Sequence, residues 1–390
     1  MKFSKPQFVG EKQSLENRVE YVRGVTYKAA VDLHEELDEN GYVLLRANNI
    51  QEGELRFDDV QYVDRTKVKP KQLLRRGDIL FCASSGSKGL VGKAALVRES
   101  MPVTFGAFCC VLRPKGNEAE YLGHYFQSRQ YRRAIEEVCS GSNINNLKAA
   151  NFLSLIVPNY DGDSTRAISA LFDLIDAQVK QAKDQIAQLD FLVKSRFVEL
   201  FGDCTVRVSL GEVCFFKSGK TLPKEKEMPS GDYLYAKVGD LNLPGNERTI
   251  RFSRSYVDAA TAKRCLIPKG AVVFPKRGGA IGTNKKRITG EDCCLDLNLM
   301  SVIPGEKIRT EYLLAWFEQM DLADIANGST VPQINNKDLN PLTIALPKME
   351  LQQEFADFVA QVDKSRFIAQ QQIEKLQMLY DSLAQEYFGD

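Results

Sequence analysis

The pentapeptide Glu199-Leu200-Phe201-Gly202-Asp203 has a near copy at the end of the chain, Glu386-Tyr387-Phe388-Gly389-Asp390, 187 residues later. Each copy closes a long run, Ser164–Asp203 or Glu350–Asp390, that contains neither glycine nor proline before its last three residues. Apolar residues recur in both runs at alternating intervals of three and four, which predicts amphipathic helices with a heptad seam. The duplicated helical segment is therefore the basis of the fold prediction.

The repetition extends backwards from the two helical runs. A repeat of about half a chain is too long for a solenoid unit, so it predicts two similar globular domains related by a pseudo-twofold axis. The loops differ strongly between the halves, which favours one scaffold with two recognition surfaces. The matching segments are Ile144-Asn145-Asn146 and Ile334-Asn335-Asn336, Arg76–Phe81 and Lys269–Phe274, Tyr42–Arg46 and Tyr233–Lys237, and Arg23–Thr26 and Ser218–Thr221.

Short apolar runs bounded by Gly, Pro and Asn predict strands in both halves, and each half has one further helical pattern. Strands and helices do not alternate regularly, which argues against a doubly wound sheet. We predict an α+β fold in which two similar mixed α/β domains are separated by two long antiparallel coiled-coil helices. The predicted segments are 1–160, 161–203, 204–348 and 349–390. The predicted strands are Gly41–Leu45, Asp78–Ala83, Cys109–Leu112, Tyr233–Val238, Ala271–Phe274 and Leu299–Ile303, and the helical patterns are Glu120–Cys139 and Thr310–Ile325.

Composition is that of an ordinary globular protein, with 44% hydrophobic and 26% charged residues in 390. No apolar run approaches the ~20 residues of a membrane-spanning helix. The nine cysteines form no CxxC motif, and the N-terminus has no apolar signal region, so we expect a reduced, cytoplasmic chain. The net charge of +1 hides a modest segregation: residues 1–160 and 204–348 carry +4 and +5, whereas 161–203 and 349–390 carry −3 and −5. A polyanion would favour the globular parts.

The most basic stretch, Lys276–Arg287, has five cations and three glycines in twelve residues. Such a loop can press backbone amides and cations against phosphates, although a solvated hairpin is the alternative. Its counterpart in the first half is Ser84–Lys93. The candidate DNA-binding residues in these two loops are Lys276, Arg277, Asn284, Lys285, Lys286 and Arg287, and Ser87, Lys88 and Lys93.

Two clusters of amide side chains form a second candidate surface. Asn and Gln can bond adenine bidentately in the major groove, but they also stabilise turns, and both interpretations stay open. The clusters are Asn143, Asn145, Asn146 and Lys148 in the first half and Gln333, Asn335, Asn336 and Lys337 in the second. The matching strand ends add Arg46, Asn48, Tyr235 and Lys237 as candidates.

The two helical runs carry more apolar residues than a two-helix seam needs. The surplus is either exposed for a partner's helices or packed on the chain's own globular domains, and we favour a partner. The candidate partner-binding residues are Leu171, Leu174, Phe191 and Phe197 in the first run and Phe355, Phe358, Phe367 and Leu379 in the second.

Catalytic signatures are missing from the sequence. Gly86–Lys93 superficially resembles a P-loop, but it has five residues between Gly86 and Gly92, and Ala94 stands where Ser or Thr is required. The two histidines, His34 and His124, have no metal-ligand cluster around them. These absences argue against an ATP site, a metal site and most catalytic classes, and leave a scattered carboxylate site as the open alternative.

Three motifs of the second half, taken together, are specific. They are Leu210-Gly211-Glu212-Val213 followed by Ser218-Gly219, the strand Tyr235–Asn242, and the stretch Gly328–Leu346 ahead of the long helix. They resemble the specificity subunit of type I restriction–modification systems. The first half repeats the plan less sharply, with Asn48-Asn49-Ile50 where the second half has Gly239-Asp240-Leu241.

The resemblance implies that each globular domain is a target recognition domain for one half of a split, double-stranded DNA sequence. It also implies that the helices set the unread spacer and dock two modification subunits, which bind S-adenosylmethionine and methylate adenine. A restriction subunit would add the ATP- and Mg²⁺-dependent nuclease, and no membrane is involved. Two other classes remain: an enzyme with an unfamiliar site, and a scaffold that binds a symmetric protein.

Overall fold

The computed structural model describes residues 10–140, 146–328 and 331–389. The chain divides into two compact units. Unit 1 consists of Met1–Ala182 and Gln371–Asp390, and unit 2 consists of Lys183–Gln370. Each unit therefore contains one globular part and one half of each long helix. The α+β class is confirmed, whereas the predicted four-segment division stays a prediction.

Unit 1 is built on two four-stranded sheets. The first has the strand order Val103–Phe105, Gly41–Leu45, Gln61–Asp64 and Leu33–His34, and only the first pair is parallel. The second is antiparallel, with the order Val19–Arg23, Cys109–Pro114, Ile79–Cys82 and Ala94–Leu96. Two short ribbons pair Glu11–Ser14 with Ile156–Asn159 and Ile50–Gln51 with Glu54–Leu55. The helices of its globular part are Ala29–Asp32, Ala119–Tyr125, Arg129–Ser140 and Ala149–Leu153.

Unit 2 is similar to unit 1, with an added edge strand in its larger sheet and a different edge strand in its smaller sheet. Its larger sheet has the order Cys214–Ser218, Leu299–Pro304, Val272–Pro275, Arg287–Thr289 and Thr249–Ile250. Its smaller sheet has the order Tyr256–Val257, Tyr233–Ala236, Cys293–Leu295 and Leu266–Ile267, and again one pair, Tyr233–Ala236 with Cys293–Leu295, is parallel. A ribbon pairs Arg207–Ser209 with Thr343–Ala345. The helices of its globular part are Leu210–Val213, Ala259–Ala262, Thr310–Glu318 and Asn336–Leu339.

A matched pair of glycines shows that the repeat extends to individual atoms. The Gly24 N–H donates to the Cys109 carbonyl at 3.2 Å, and the Gly219 N–H donates to the Leu299 carbonyl at 3.0 Å. A Cβ at Gly24 would lie 2.1 Å from the carbonyl oxygen of Gly106, and one at Gly219 would lie 2.0 Å from that of Asp296. Glycine is required at both positions because no side chain fits between the two backbone segments.

The two helical patterns predicted in the globular parts are shorter than expected. Glu120–Cys139 is broken between Tyr125 and Arg129, where the Ser128 hydroxyl accepts the Tyr131 N–H at 3.2 Å and starts a new helix. Thr310–Ile325 ends at Glu318.

The chain after Glu318 leaves the helix because side chains take its backbone donors. Asn284 Oδ1 accepts the Leu322 N–H at 3.0 Å, and Asp321 Oδ1 accepts the Ala323 N–H at 2.9 Å. Apolar periodicity alone does not reveal these local competitors.

Both long helices are confirmed as continuous, with 40 residues each: a central helix, Gly162–Phe201, and a C-terminal helix, Met349–Phe388. Asp161 precedes the central helix, and its carboxylate accepts the N–H groups of Asp163 and Ser164 at 3.0 and 2.8 Å. These bonds satisfy backbone donors that the first turn leaves open, and they lower the pKa of Asp161.

In unit 1 the start of the central helix packs against the end of the C-terminal helix, so the two run antiparallel. The Phe172 ring stacks on Phe388 with centroids 5.3 Å apart and meets the edge of Tyr380 at 4.8 Å. His124, from the globular part, stacks on Phe172 and lies 3.1 Å from Asp173. His124 is thus a buried structural residue, as its lack of ligand partners in the sequence suggested.

In unit 2 the end of the central helix packs against the start of the C-terminal helix, again antiparallel. Phe197 and Phe201 lie 5.7 and 5.4 Å from Phe355, and Tyr312 of the globular part completes the cluster. Arg366 stands at a seam position, where its guanidinium pairs with Asp190 of the central helix and with Asp363. Burial of this charge is tolerated because it has carboxylate partners.

Candidate functional site

In each unit the two loops that the sequence marked as separate candidates lie side by side. In unit 1 the Leu147 N–H donates to the Ala83 carbonyl at 2.7 Å, and in unit 2 the Ile334 N–H donates to the Lys276 carbonyl at 2.9 Å. Each contact continues into an isolated β-bridge. The bridges join Ser84 to Asn146 and Arg277 to Gln333.

We call these the paired loops of each unit: Ser84–Lys93 with 146–148 in unit 1, and Lys276–Arg287 with 333–337 in unit 2. The glycine-rich loop and the amide cluster thus form one surface in each unit. Sequence spacing could not show this adjacency, because the joined residues are far apart in the chain.

The first two cations of the unit 2 paired loops, Lys276 and Arg277, differ in their exposure. Lys276 is half-buried, and its Nζ donates to the Ser218 hydroxyl at 2.9 Å. Burial and the neighbouring Arg277 lower the pKa of Lys276. The Arg277 side chain is exposed, on a backbone fixed by the bridge to Gln333. Of these two cations, Arg277 is therefore the better placed to meet an anion.

Lys286, predicted to contact phosphate, is instead buried and structural. Its Nζ donates to the Met320 carbonyl at 2.8 Å and to Asn284 Oδ1 at 2.6 Å, and Asn284 also accepts the Leu322 N–H. The prediction was wrong for Lys286, because a run of cations does not show which one turns inward. Asn284, with φ of 53°, serves the same internal network.

The half-buried Arg287 donates to the carbonyl oxygens of Lys286 and Leu241 at 2.8 and 3.3 Å. Lys285 is partly exposed and its Nζ donates to Asn242 Oδ1. These two residues tie the loop to the turn Val238–Asn242, so the predicted strand end lies against the same surface.

At that strand end, Tyr235 is buried and cannot meet DNA, contrary to prediction. Its hydroxyl donates to the Lys220 carbonyl at 2.9 Å, and its ring packs in a buried cluster with Val257 and Cys294. The neighbouring Leu234 and Ala236 are buried on the other face of the sheet, so neither face of this strand is exposed. Lys237 is half-exposed and paired with Glu227. Arg254, which the sequence reading missed, is exposed beside the same turn, with one guanidinium nitrogen 3.9 Å from Asp240.

The equivalent strand end of unit 1 has the same backbone arrangement. The Arg46 N–H donates to Asn49 Oδ1 at 2.8 Å, as the Lys237 N–H donates to Asp240 Oδ2 at 2.9 Å. The sequence difference between Asn49 and Asp240 therefore exchanges one buried hydrogen-bond acceptor for another.

The candidate side chains at this end are Arg46 and Asn48, and both are held by Asp59. Arg46 Nη2 and Asn48 Nδ2 lie 2.9 and 2.8 Å from its carboxylate oxygens. An anion would have to displace this exposed carboxylate, so the position is electrostatically weaker than Arg277.

The remaining unit 1 candidates are less charged than their unit 2 equivalents. Ser87 is exposed and Lys93 is half-exposed, while Asn146 and Lys148 are exposed. The side chain of Lys88, and the candidates Asn143 and Asn145, lie outside the described residues.

In unit 2, Asn336 and Lys337 are exposed on the short helix Asn336–Leu339, with Asn335 and Gln333 half-exposed ahead of it. The Asn335 N–H donates to Asp338 Oδ2 at 2.8 Å, as the Lys148 N–H donates to Asn151 Oδ1 at 2.8 Å in unit 1. In both turns a side-chain oxygen accepts a backbone N–H, and the exposed amides of Asn146 and Asn336 remain available to a ligand.

The surplus apolar residues of the long helices fall into two groups. Phe197 and Phe355 are buried in the unit 2 core, and Phe358 packs against it, so these three do not form an exposed docking face. They were misassigned because residues flanking a seam can also be covered by a globular part. The exposed members are Leu171, Leu174 and Leu379 in unit 1 and Phe191 and Phe367 in unit 2, together with Leu192, Val198, Ile368 and Met378.

Two kinds of catalytic group, a metal cluster and a reactive thiolate, can be assessed in the described part of the chain. No group of three or more His, Cys, Asp or Glu side chains there could hold a metal ion. All nine cysteines are free, and burial raises the pKa of the Cys82 thiol to about 11, which disfavours a nucleophilic thiolate. None of the described helices is long and apolar enough to cross a bilayer.

Comparison with known proteins identifies what the second half resembles. Residues 205–378 match the family described as type I restriction modification DNA specificity domain. Two curated relatives align over 174 residues: the type I restriction enzyme StySPI specificity subunit of Salmonella potsdam, 37% identical, and the EcoKI specificity subunit of Escherichia coli K12, 36% identical. Each alignment covers 44% of this chain and 37% of the relative's length.

The fold as a whole is also found in a solved structure. The type I restriction–modification S subunit from M. genitalium superimposes with a TM-score of 0.52 at 15% identity, over 100% of this chain and 98% of that one. At this identity the likeness is one of fold. It nevertheless extends over the first half, which lies outside the matched residues 205–378.

Proposed function

We propose that this chain is a type I restriction–modification specificity subunit that selects the DNA sequence for such a complex, because residues 205–378 match the DNA specificity domain of these systems. In this proposal each unit recognises one half of a bipartite, asymmetric target in double-stranded DNA. The observation that carries the proposal is the pair of equivalent hydrogen bonds, Leu147 to Ala83 and Ile334 to Lys276. They form the same composite surface twice, with different side chains each time.

The side chains on these surfaces suit DNA. Exposed cations such as Arg277 and Lys337 can neutralise phosphates, which positions a protein on the duplex. Exposed amides such as Asn146 and Asn336 can bond base edges in the major groove. Segments 161–203 and 349–390 carry net charges of −3 and −5, whereas the globular parts carry +4 and +5. The anionic duplex is therefore attracted to the globular parts rather than to the long helices.

We assign the long helices two roles: setting the unread spacer between the half-sites and docking two modification subunits. The support is that both units share both helices, and that exposed apolar residues lie on each helix in each unit. Exposed leucine and phenylalanine side chains grouped along a helix are typical of a protein interface. The chain would itself be non-catalytic; S-adenosylmethionine, ATP and Mg²⁺ would bind to modification and restriction subunits.

The test is to co-express the chain with a candidate modification subunit and to map methylated adenines across the genome. We expect one split motif with a fixed spacer, absent from cells that lack this chain. Methylation that does not depend on the chain, or an unsplit motif, would contradict the proposal.

The spacer role has its own test. Deleting seven residues from each long helix, at positions that stay in register, should shorten the unread spacer while leaving both half-sites unchanged. Deleting them from one helix alone should abolish methylation, because the seam then loses its pairing. An unchanged spacer in the double deletion would rule out the spacer role and leave DNA recognition standing.

A further inference from the structure

A turn beside the unit 1 paired loops displays an exposed aromatic ring. The Phe108 side chain is 70% exposed. Its own carbonyl oxygen accepts the N–H groups of Ala83 and Ser84 at 2.9 and 3.0 Å. Since Ser84 also bridges Asn146, Phe108 lies directly beside both loops of the surface.

The backbone that carries Phe108 is held from several sides. The Cys109 N–H closes the turn on the Gly106 carbonyl at 2.8 Å, and the Gly106 N–H donates to Leu45 at 2.9 Å. A second strand joins the turn through the bond from Gly24 to Cys109. A single exposed apolar residue is ordinary, but one fixed at the rim of a polar surface is already ordered for contact and loses little entropy on binding.

Unit 2 has the same turn with a different side chain at its tip. The Leu299 N–H closes it on the Asp296 carbonyl at 2.9 Å, and the Lys276 N–H donates to the Asn298 carbonyl at 2.8 Å. Asn298 therefore occupies the position of Phe108. Its amide donates to Asp296 Oδ1 at 2.7 Å. One backbone position thus carries an apolar ring in unit 1 and an amide in unit 2.

We propose that Phe108 is a base-reading residue that contacts the C5-methyl group of a thymine in the half-site of unit 1. The inference rests on the proposed function and deepens it. A phenyl ring can neither donate nor accept a conventional hydrogen bond to a base edge, and the thymine methyl is the apolar group that the major groove presents. The contact would specify one A·T pair that no cation or amide of the paired loops reads.

The experiment uses the complex of this chain with its modification subunit and a duplex bearing the mapped target. Each thymine is replaced in turn by deoxyuridine, which removes only the methyl group, and the dissociation constant is measured. For the unsubstituted complex we expect one thymine whose replacement weakens binding about fourfold, the loss that ~0.8 kcal/mol for one buried methyl group predicts.

The variant Phe108→Ala should bind the thymine and deoxyuridine duplexes equally at that position, whereas Phe108→Leu should retain part of the difference. The matched control is Phe215→Ala, which removes a ring that is 68% exposed on the strand Cys214–Ser218 of unit 2. This control should keep the full penalty.

The proposal is overturned if Phe108→Ala shows the same deoxyuridine penalties as the unsubstituted complex at every thymine. A uniform loss of affinity with unchanged penalties would also overturn it, because it would indicate contact with the DNA backbone or wedging between base pairs. Failure of the unsubstituted complex to prefer its target over unrelated DNA would instead refute the proposed function.

Discussion

The paired loops of the two units have the same backbone and different electrostatics. Where unit 2 has Lys276 and Arg277, unit 1 has Ala83 and Ser84 at the equivalent positions of the loop contact. The loop ends are alike, since the strand registers place Lys93 and Lys285 at corresponding positions.

The bonds that define both surfaces join backbone groups, so they do not depend on which side chains are present. Recognition chemistry can therefore diverge between the units while the framework is kept. We expect unit 2 to rely more on charge and unit 1 more on short-range contact.

The largest expected effect tests whether the hydrophobic core of each unit stabilises that unit independently of the other. Phe355→Ala in unit 2 and Phe172→Ala in unit 1 each remove a fully buried ring, which costs about 3–5 kcal/mol. Hydrogen exchange should show that each variant loosens the helix segments of its own unit first. The exposed Phe367→Ala is the matched control and should be nearly neutral. Equal loosening of both units by either variant would contradict the comparison.

The next prediction tests the shared framework. Gly24→Ala and Gly219→Ala each force a methyl group within 2.1 Å of a carbonyl oxygen, so both should destabilise the chain by about 1–3 kcal/mol in denaturant unfolding. Gly86→Ala is the control, since no heavy atom lies within 4 Å of its added Cβ. If only one of the two framework variants is destabilised, the equivalence of the turns is lost.

A smaller effect should separate the units in DNA binding. Arg277→Ala is expected to reduce the salt slope of the dissociation constant by about one, whereas its unit 1 counterpart Ser84→Ala should leave the slope unchanged. Affinities measured across a salt series in the presence of the modification subunit decide this. An equal change of slope in both variants would remove the electrostatic difference between the units.

Lys286 is the control for Arg277, because it is a cation of the same loop whose side chain is buried. Lys286→Met should keep the salt slope and lower the free energy of unfolding by about 1–3 kcal/mol, because the Met320 carbonyl loses its donor. A reduced slope would show that Lys286 reaches DNA after all.

The smallest effect concerns the start of the central helix. The backbone and side chain of Ser164 lower the pKa of Asp161, so its stabilising contribution is present above the unfolded-state pKa and is lost as pH falls through the folded-state value. Asp161→Asn keeps a capping side chain but cannot titrate, so its melting temperature should depend less on pH in the acid range. The C-terminal helix follows Lys348 and has no carboxylate at this place. An unchanged acid dependence would exclude Asp161 as its source.

Much of the fold followed from periodicity and repetition. Gly41–Leu45 is a strand with the predicted bounds, and the predicted helix Ser164–Asp203 differs from Gly162–Phe201 by two residues at each end. These elements are predictable because burial of one face imposes a regular spacing on the sequence. The break before Arg129 was missed, although Ser128 is a typical N-cap residue and could have signalled it.

The site was only partly predictable because its members meet through the tertiary fold. The loops at Lys276 and Gln333 were both singled out, but nothing in the sequence shows that they bridge each other. Lys286 and Tyr235 were assigned to the surface because of the basic loop and the strand end in which they stand, but both side chains are buried. Phe108 was overlooked because an isolated aromatic residue next to a strand reads as core.

The ion pair between Arg366 and Asp190 has a consequence for how the unit 2 helices align. Sliding one helix by a turn would separate the guanidinium from Asp190 and leave Asp363 of its own helix as its carboxylate partner, so the ion pair across the seam would be lost. Leucine at this position would pack equally well in more than one alignment. We therefore expect the polar residue to exclude shifted pairings, so that a single arrangement of the seam is selected even if total stability gains nothing.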